Sequence, residues 1–206
     1  MEPFVKKLVP ENIKGKSTDL EHPVTRDTRD QALESFQRAC NRMLIIKTWH
    51  KLTGFGSAEF LQINPEGKEC TRLAEAGDYI RIDVPGPGPA SGDGYDWVTV
   101  ETIEGPTDPG AKNESFGMRV RACKNPNGHG NDTAHFFTGD ATSTFIVNRK
   151  SNTVSVSYHG RNEVPNTRTE KLKDSVRNAL VGTGALIGIS EMQWSGLIKS
   201  FLEEDI

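Results

Sequence analysis

The sequence predicts an α+β fold in which an antiparallel sheet of about six strands lies between an N-terminal helix and a C-terminal helix. Three observations support this prediction. A capping box opens a stretch of helical periodicity near residue 28, short runs of alternating apolar and polar residues follow it, and helical periodicity returns from residue 169. Loops rich in Gly and Pro separate the alternating runs, which favours strands joined by turns.

The first 27 residues are rich in Lys, Glu, Pro and Asp, and their apolar residues are confined to a short stretch from Phe4 to Val9. This composition predicts an extended N-terminal arm with at most one edge strand, packed on the body or partly mobile. We therefore divide the chain into an arm over residues 1–27 and a single α+β domain over residues 28–206.

The first predicted helix covers residues 30–52. Thr28 and Gln31 have the spacing of a capping box, in which each side chain accepts a hydrogen bond from the other residue's backbone N–H. The apolar residues that follow recur at helical spacing, and Gly54 offers a stop.

Short alternating runs predict the strands over residues 58–63, 79–84, 96–104, 116–123, a short one at 134–137, and a hairpin over 143–158. The Gly- and Pro-rich segments 85–94 and 105–113 cannot continue a strand ladder and are predicted to be loops.

Helical spacing from Thr169 onward predicts the C-terminal helix. The residues on its apolar stripe are Leu172, Val176, Leu180, Ile187, Trp194, Leu197, Ile198 and Phe201. Four glycines interrupt it at Gly182, Gly184, Gly188 and Gly196, and each costs about 1 kcal/mol in a helix interior. We therefore expect two helices or one kinked helix.

This order of elements resembles the helix-grip fold of the START and Bet v 1-like superfamily. The resemblance covers roughly residues 30–204 and concerns the order of elements, not a sequence motif. It implies a curved sheet that wraps the last helix and leaves an apolar cavity. A small β-barrel of the SH3-like or OB type with appended helices fits a similar strand count.

Bulk properties exclude several functions. The net charge of −3 argues against a general nucleic-acid partner, and no apolar run is long enough to insert into a membrane. Three widely spaced cysteines do not form a disulfide framework, which suits a reducing compartment and predicts a cytoplasmic location. No cofactor motif and no G-x-S-x-G elbow occurs, so we expect no cofactor.

The candidate catalytic residues are Tyr158, His159 and Glu163, where acid/base and anion-holding groups cluster at the end of the last strand, together with Arg119 of the predicted strand over 116–123. Strand alternation predicts that Tyr158 points into the core while His159 points to the opposite face.

Large apolar side chains from several elements are the candidate ligand-binding residues: Trp97, Met118, Phe145 and Trp194. Cys123, His129 and His135 recur every six residues and are the candidate metal ligands, although this is not the spacing of known zinc modules.

These observations favour a cytosolic protein that binds a small hydrophobic molecule in an apolar pocket between the sheet and the C-terminal helix. A cofactor-independent reaction of the cyclase or isomerase type suits such a pocket. Two alternatives stay open. The long loops at 85–94 and 105–113 are typical of a non-catalytic module with a protein partner, and the Cys/His set is typical of a metal-dependent enzyme.

Overall fold

A computed structural model describes residues 3–50, 58–84, 88–106, 111–166 and 182–203. Within these ranges the helices are α1 (Pro3–Leu8), α2 (Arg29–Leu44) and α3 (Gly182–Ser200), with 3₁₀ turns at Ile46–Thr48 and Ala90–Gly92. The strands are β1 (Lys16–Thr25), β2 (Glu59–Ile63), β3 (Tyr79–Asp83), β4 (Asp96–Glu104), β5 (Asn113–Ala122), β6 (Thr142–Lys150) and β7 (Thr153–Glu163).

The described strands form one antiparallel sheet in the order β1-β7-β6-β5-β4-β3-β2. Consecutive strands from β2 to β7 are neighbours, and β1 pairs with β7. The sheet is open, with β1 and β2 at its edges, so the fold is the predicted α+β arrangement and not the small closed barrel. The seventh strand is β1, which lies in the segment predicted to be an extended arm.

One face of the sheet, called here the inner face, carries the main core. Alternate residues of the central strands, such as Val98, Val120, Phe145 and Val156, point to this face and are buried. α2 and α3 contribute buried apolar side chains to the same core. A sheet followed by a C-terminal helix on this face is the arrangement expected from the helix-grip resemblance.

The capping box that begins α2 is confirmed. The Gln31 backbone N–H donates to Thr28 Oγ1 at 3.2 Å, and the Thr28 backbone N–H donates to Gln31 Oε1 at 3.1 Å. The predicted end of this helix was wrong, because α2 stops at Leu44. At Ile45 the backbone leaves the helical region (φ −92°, ψ 75°), and a 3₁₀ turn follows. Gly54, the predicted stop, lies outside the described residues.

The predicted short strand at 134–137 is replaced by irregular backbone. The Phe136 N–H donates to the Asp96 carboxylate at 2.6 Å, and the Phe137 N–H donates to His135 Nδ1 at 2.9 Å. Because side chains accept these two N–H groups, they are not available for a strand ladder, and only an isolated bridge joins Phe137 to Pro165.

α3 runs without interruption from Gly182 to Ser200, although Gly184, Gly188 and Gly196 lie inside it. The first part of the predicted stripe, Leu172, Val176 and Leu180, lies outside the described residues. In the part of the chain that the structure describes, no helix is both long and apolar enough to cross a membrane.

Two arginines hold the C-terminal end of α3 against the rest of the molecule. Arg42 donates to the carbonyl oxygens of Ser200 at 2.8 Å and Glu203 at 2.5 Å, and Arg26 donates to the Leu202 carbonyl at 2.8 Å. Positive charge beside unpaired carbonyls stabilises a helix C-terminus. These contacts fix where α3 lies on the sheet.

The N-terminal segment covers the opposite face of the sheet, called here the outer face. Leu8 and Val9 pack against Ile146 of β6, and Gly117 of β5 provides the space, since a Cβ there would lie 2.4 Å from Leu8 Cδ2. Together with β1, the helix α1, which contains Leu8, connects much of residues 1–27 to the sheet. The division of the chain at residue 27 stays a prediction.

Candidate functional site

The inner face carries a cluster of hydroxyl and carboxyl groups at the end of the β6–β7 hairpin. Tyr158 Oη lies 3.1 Å from Ser143 Oγ and donates to Glu163 Oε1 at 3.4 Å. The Thr18 hydroxyl of β1 donates to Glu163 Oε2 at 3.0 Å. All four residues belong to neighbouring strands, so the sheet itself sets their separation. We call Tyr158, Ser143, Glu163 and Thr18 the inner polar cluster.

The register of the hairpin builds this cluster. Phe145 pairs with Tyr158, and Ser143 pairs with Gly160. A Cβ at Gly160 would lie 2.2 Å from Glu163 Oε1 and 3.1 Å from Tyr158 Oη. Glycine at this position therefore leaves the space that the Glu163 carboxyl occupies. At Asn162 the backbone has a positive φ of 57°, which changes the direction of the strand just before Glu163.

Burial controls the protonation of the cluster. Desolvation raises the pKa of Glu163 above its usual range and outweighs the hydrogen bonds from Thr18 and Tyr158 and the nearby charge of Lys16, which lower it. Burial and the Glu163 charge also raise the pKa of Tyr158, so the phenol stays protonated. A protonated phenol beside a carboxyl of raised pKa is a typical arrangement for acid/base chemistry.

A small cavity of about 10 Å³ lies beside the cluster. Its lining residues are Val98, Val120, Ala122, His135, Phe137, Ala141, Thr142, Ser143 and Glu163. This volume is enough for about one water-sized molecule. Burial lowers the pKa of His135, so its ring is neutral near pH 7.

Aromatic side chains surround the other side of the cluster. Trp194 of α3 stacks on Tyr158, with ring centroids 5.2 Å apart and planes inclined by 13°, and its ring meets Phe145 edge-on at 5.5 Å. Met118 belongs to the same buried core. Three of the predicted ligand-binding residues thus lie on the inner face.

Trp97, the fourth predicted ligand-binding residue, lies elsewhere. It points to the outer face and packs with Ile63 and Ala134 in a separate cluster, while its ring N–H donates to the Gly92 carbonyl at 3.3 Å. Strand alternation accounts for this, because its neighbour Val98 points inward.

The structure separates the four predicted catalytic residues into two groups. Tyr158 and Glu163 come together in the inner polar cluster. His159 lies on the outer face with Asp19, and Arg119 lies on the outer face with Glu101 and the Leu8 carbonyl. Both contacts direct the Arg119 side chain away from the inner polar cluster.

The predicted metal ligands do not come together. His129 is exposed, whereas His135 lines the inner cavity and Cys123 packs in the Trp97 cluster. Among the described residues, no group of three or more His, Cys, Asp or Glu side chains is placed to hold a metal ion. Desolvation raises the pKa of Cys123 to about 12, so this thiol is protonated.

Sequence reasoning missed Ser143, Thr18 and Gly160. The hairpin register contained a signal for two of them, since pairing the two strands outward from the turn places Ser143 opposite Gly160. Thr18 carried no such signal, because it belongs to a strand that pairs across more than a hundred residues of sequence.

Solved structures similar to this chain have low sequence identity to it. The Zhui aromatase/cyclase from a Streptomyces strain is 10% identical with a TM-score of 0.43, and the alignment covers 91% of this chain and 92% of that one. Norcoclaurine synthase from Thalictrum flavum, in complex with dopamine and hydroxybenzaldehyde, is 12% identical with a TM-score of 0.36, covering 93% and 90%. A protein from Mycobacterium smegmatis is 13% identical with a TM-score of 0.37, covering 89% and 87%.

The sequence matches no protein-family model and no curated protein at a significant level. The fold of the chain is the α+β arrangement described above, with a seven-stranded antiparallel sheet and a C-terminal helix on its inner face.

Proposed function

We propose that this chain is a cytosolic protein that binds a small hydrophobic molecule between the inner face of the sheet and α3. The apolar part of the ligand would lie against Trp194, Phe145 and Met118, and its polar group would meet Tyr158 and Glu163. The observation that carries this proposal is a carboxyl of raised pKa, hydrogen-bonded to a buried phenol beside a cavity in an otherwise apolar face.

A structural role alone explains Glu163 poorly. Among the residues that the structure describes, its hydrogen bonds come from two hydroxyl groups, Thr18 and Tyr158, and it forms no ion pair. A buried carboxylate without a paired cation is costly to the folded state. Functional sites are where proteins retain such groups.

The ligand needs more space than the 10 Å³ cavity offers. Trp194 does not line this cavity, but its ring is only partly buried and covers Tyr158 on the other side of the cluster, so its displacement would open space for a ligand there. The contacts of Arg26 and Arg42 hold the C-terminal end of α3, so a shift of the Trp194 side chain leaves the helix attached.

The chemistry proposed for this site needs no cofactor. Glu163 in its ionised form would accept a proton from a carbon next to a carbonyl group, and Tyr158 would donate a hydrogen bond to the oxygen that gains charge. Proton transfer of this kind is the common step of cyclase- and isomerase-like reactions. The interaction-module hypothesis, with a protein partner, stays a prediction.

Native mass spectrometry and thermal denaturation with a panel of aromatic hydroxy and carbonyl compounds test the binding proposal. We expect at least one compound to bind at a one-to-one ratio and to raise the melting temperature, as ligand binding to the folded state requires. Glu163→Gln and Tyr158→Phe should each weaken binding by about tenfold, the effect of losing a hydrogen bond to a charged or buried partner.

Ser155→Ala is the matched control, because Ser155 lies on the same strand but points to the outer face. Its affinity should equal that of the unmodified protein. If the unmodified protein and all three variants bound a compound with equal affinity, the ligand would lie elsewhere and the proposal would be overturned. The absence of any binding in a chemically broad panel would also overturn it.

A further inference from the structure

The outer face carries a second polar constellation, formed by Ser157, His159 and Asp19. Ser157 Oγ lies 3.0 Å from His159 Nε2, and His159 Nδ1 lies 2.5 Å from Asp19 Oδ1. One ring nitrogen thus faces a hydroxyl and the other faces a carboxylate. With the proton on Nδ1 donated to Asp19, Nε2 is an acceptor for the Ser157 hydroxyl proton. This is the connectivity of a serine nucleophile, its base and the group that orients the base.

The sheet holds these three residues rigidly. Ser157 and His159 are two residues apart on β7 and therefore share one face, and Asp19 lies directly opposite His159 on β1. Because β7 is hydrogen-bonded to β1 on one side and to β6 on the other, neither Ser157 nor His159 depends on a loop for its position. Sites built on strands hold their geometry better than sites built on loops.

Arg161 keeps the carboxylate of the constellation charged. Its Nη2 donates to Asp19 Oδ1 at 2.7 Å, while its Nη1 is fixed by the Thr18 and Gly160 carbonyls. Partial burial opposes ionisation of Asp19, but the hydrogen bonds and charges of Arg161 and His159 outweigh it and lower the Asp19 pKa. The carboxylate is thus ionised at neutral pH and orients the His159 ring.

A groove of about 690 Å³ opens over the constellation. Ser157 and His159 lie in its lining, α1 contributes Val5, and β1 contributes Asp19 and Pro23. This volume is within the range of pockets that bind small organic molecules. Ser157 is only 4% exposed, which places its hydroxyl at the floor and not at the rim.

Hydrogen-bond donors also line the groove. The Ser115 hydroxyl donates to the Asn148 amide oxygen at 2.7 Å, which leaves the Asn148 NH₂ group as a donor in the groove lining. Lys150 adds positive charge to the same lining. Such groups stabilise the negative oxygen that forms when a carbonyl is attacked.

We propose that Ser157, His159 and Asp19 form a hydrolytic site for small carboxylic esters, separate from the inner site. Ser157 Oγ would bond to the carbonyl carbon while its proton passes to His159 Nε2. The ester C–O bond then breaks, and the leaving alcohol takes that proton. Water then attacks the acyl carbon and gives one proton to His159 Nε2. The bond from the acyl carbon to Ser157 Oγ breaks, the carboxylic acid leaves, and His159 returns the proton to Ser157 Oγ.

A fluorophosphonate probe tests the nucleophile directly, since it forms a stable adduct with an activated serine. We expect one adduct per chain, located at Ser157 by peptide mass spectrometry, and slow turnover of p-nitrophenyl butyrate. His159→Ala should lower the rate of labelling and the rate of ester hydrolysis by about 100-fold or more, the usual contribution of a general base. Asp19→Asn should lower them as well and leave Ser157 in place.

The controls separate this proposal from the inner site. Ser195 is exposed on α3 and does not line the groove, so labelling of the Ser195→Ala variant should be unchanged. Glu163→Gln should also label normally, whatever its effect on ligand binding. Folding of each variant is checked by circular dichroism. No Ser157 adduct on folded protein, or equal labelling of the His159→Ala variant, contradicts the proposal.

Discussion

Among the described residues, hydroxyl groups and not a cation hold the Glu163 carboxyl on the inner face. Its neighbours in the cluster are small or neutral, and the space around it depends on the absence of a side chain at Gly160. The position and protonation of the Glu163 carboxyl therefore depend on a few neighbouring atoms. Two single substitutions, Glu163→Gln and Gly160→Ala, test this dependence.

The pH dependence of stability should carry the signature of Glu163. Because burial raises its pKa in the folded state above the reference value of 4.5, the folded state binds this proton more tightly than the unfolded chain does. The stabilising contribution is complete below about pH 4.5 and is lost as the pH rises through the raised pKa. We therefore expect the free energy of unfolding of Glu163→Gln, measured with urea, to increase relative to that of the unmodified protein as the pH rises from about 4 to 8. A difference that stays constant with pH contradicts the raised pKa.

Gly160→Ala should disturb the site more than the fold. The added Cβ would overlap the Glu163 carboxyl, which is the end of a flexible side chain and can move away. We expect ligand affinity to fall by about tenfold, the loss expected when a polar contact is displaced, with a stability change of about 1 kcal/mol or less. Calorimetric titration and urea unfolding of the same variant measure the two effects. A large loss of stability with unchanged affinity would be the opposite result.

Helices and strands were predictable where local patterns decided them. The capping box located the start of α2, and alternation located β3, β4 and the β6–β7 hairpin. Local patterns failed where distant groups decided the structure. The apolar stripe continued past Leu44, but the chain turns at Ile45, and Ile46 and Trp49 are buried by other elements. At Phe136, the carboxylate of distant Asp96 takes the N–H that a strand would need.

Arg42 should be needed to keep the end of α3 in place. Its guanidinium donates to carbonyl oxygens at the C-terminus of this helix, and Arg42→Met retains the length of the side chain without the donors. We expect a loss of about 1–2 kcal/mol, the value of a few charge-assisted hydrogen bonds at a helix end. Hydrogen exchange should also speed up in the last turn of α3 and stay unchanged in the central strands. Uniform loss of protection across the sheet would argue against so local a role.

At the scale of the whole molecule, the pairing of β1 with β7 joins two segments that lie more than a hundred residues apart in the sequence. Thr18 reaches Glu163 across this pair, and Asp19 reaches His159 on the other face. Both constellations depend on a strand contact of very long sequence separation. Sequence patterns contain little information on such contacts, which is why Tyr158, His159 and Glu163 were predicted as candidates while Thr18 and Asp19 were missed.

Removal of residues 1–27 tests whether these residues form an arm that is separate from the domain over residues 28–206. We expect the remaining chain, 28–206, to be less stable by several kcal/mol or to aggregate, because deletion of β1 exposes the backbone of β7 as a new edge and uncovers Ile146. Urea unfolding and size-exclusion chromatography measure the outcome. Unchanged stability would show that the first 27 residues are an independent arm.

Fluorine NMR of protein labelled with fluorotryptophan tests the inner binding site most directly. The chain contains three tryptophans, of which Trp194 stacks on Tyr158 and Trp97 packs on the outer face, so Trp97 is an internal reference. Titration with a compound shown to bind should move the Trp194 resonance and leave that of Trp97 in place, and Glu163→Gln should shift the midpoint to higher concentration. A bound compound that moves Trp97 but not Trp194 contradicts the proposed site.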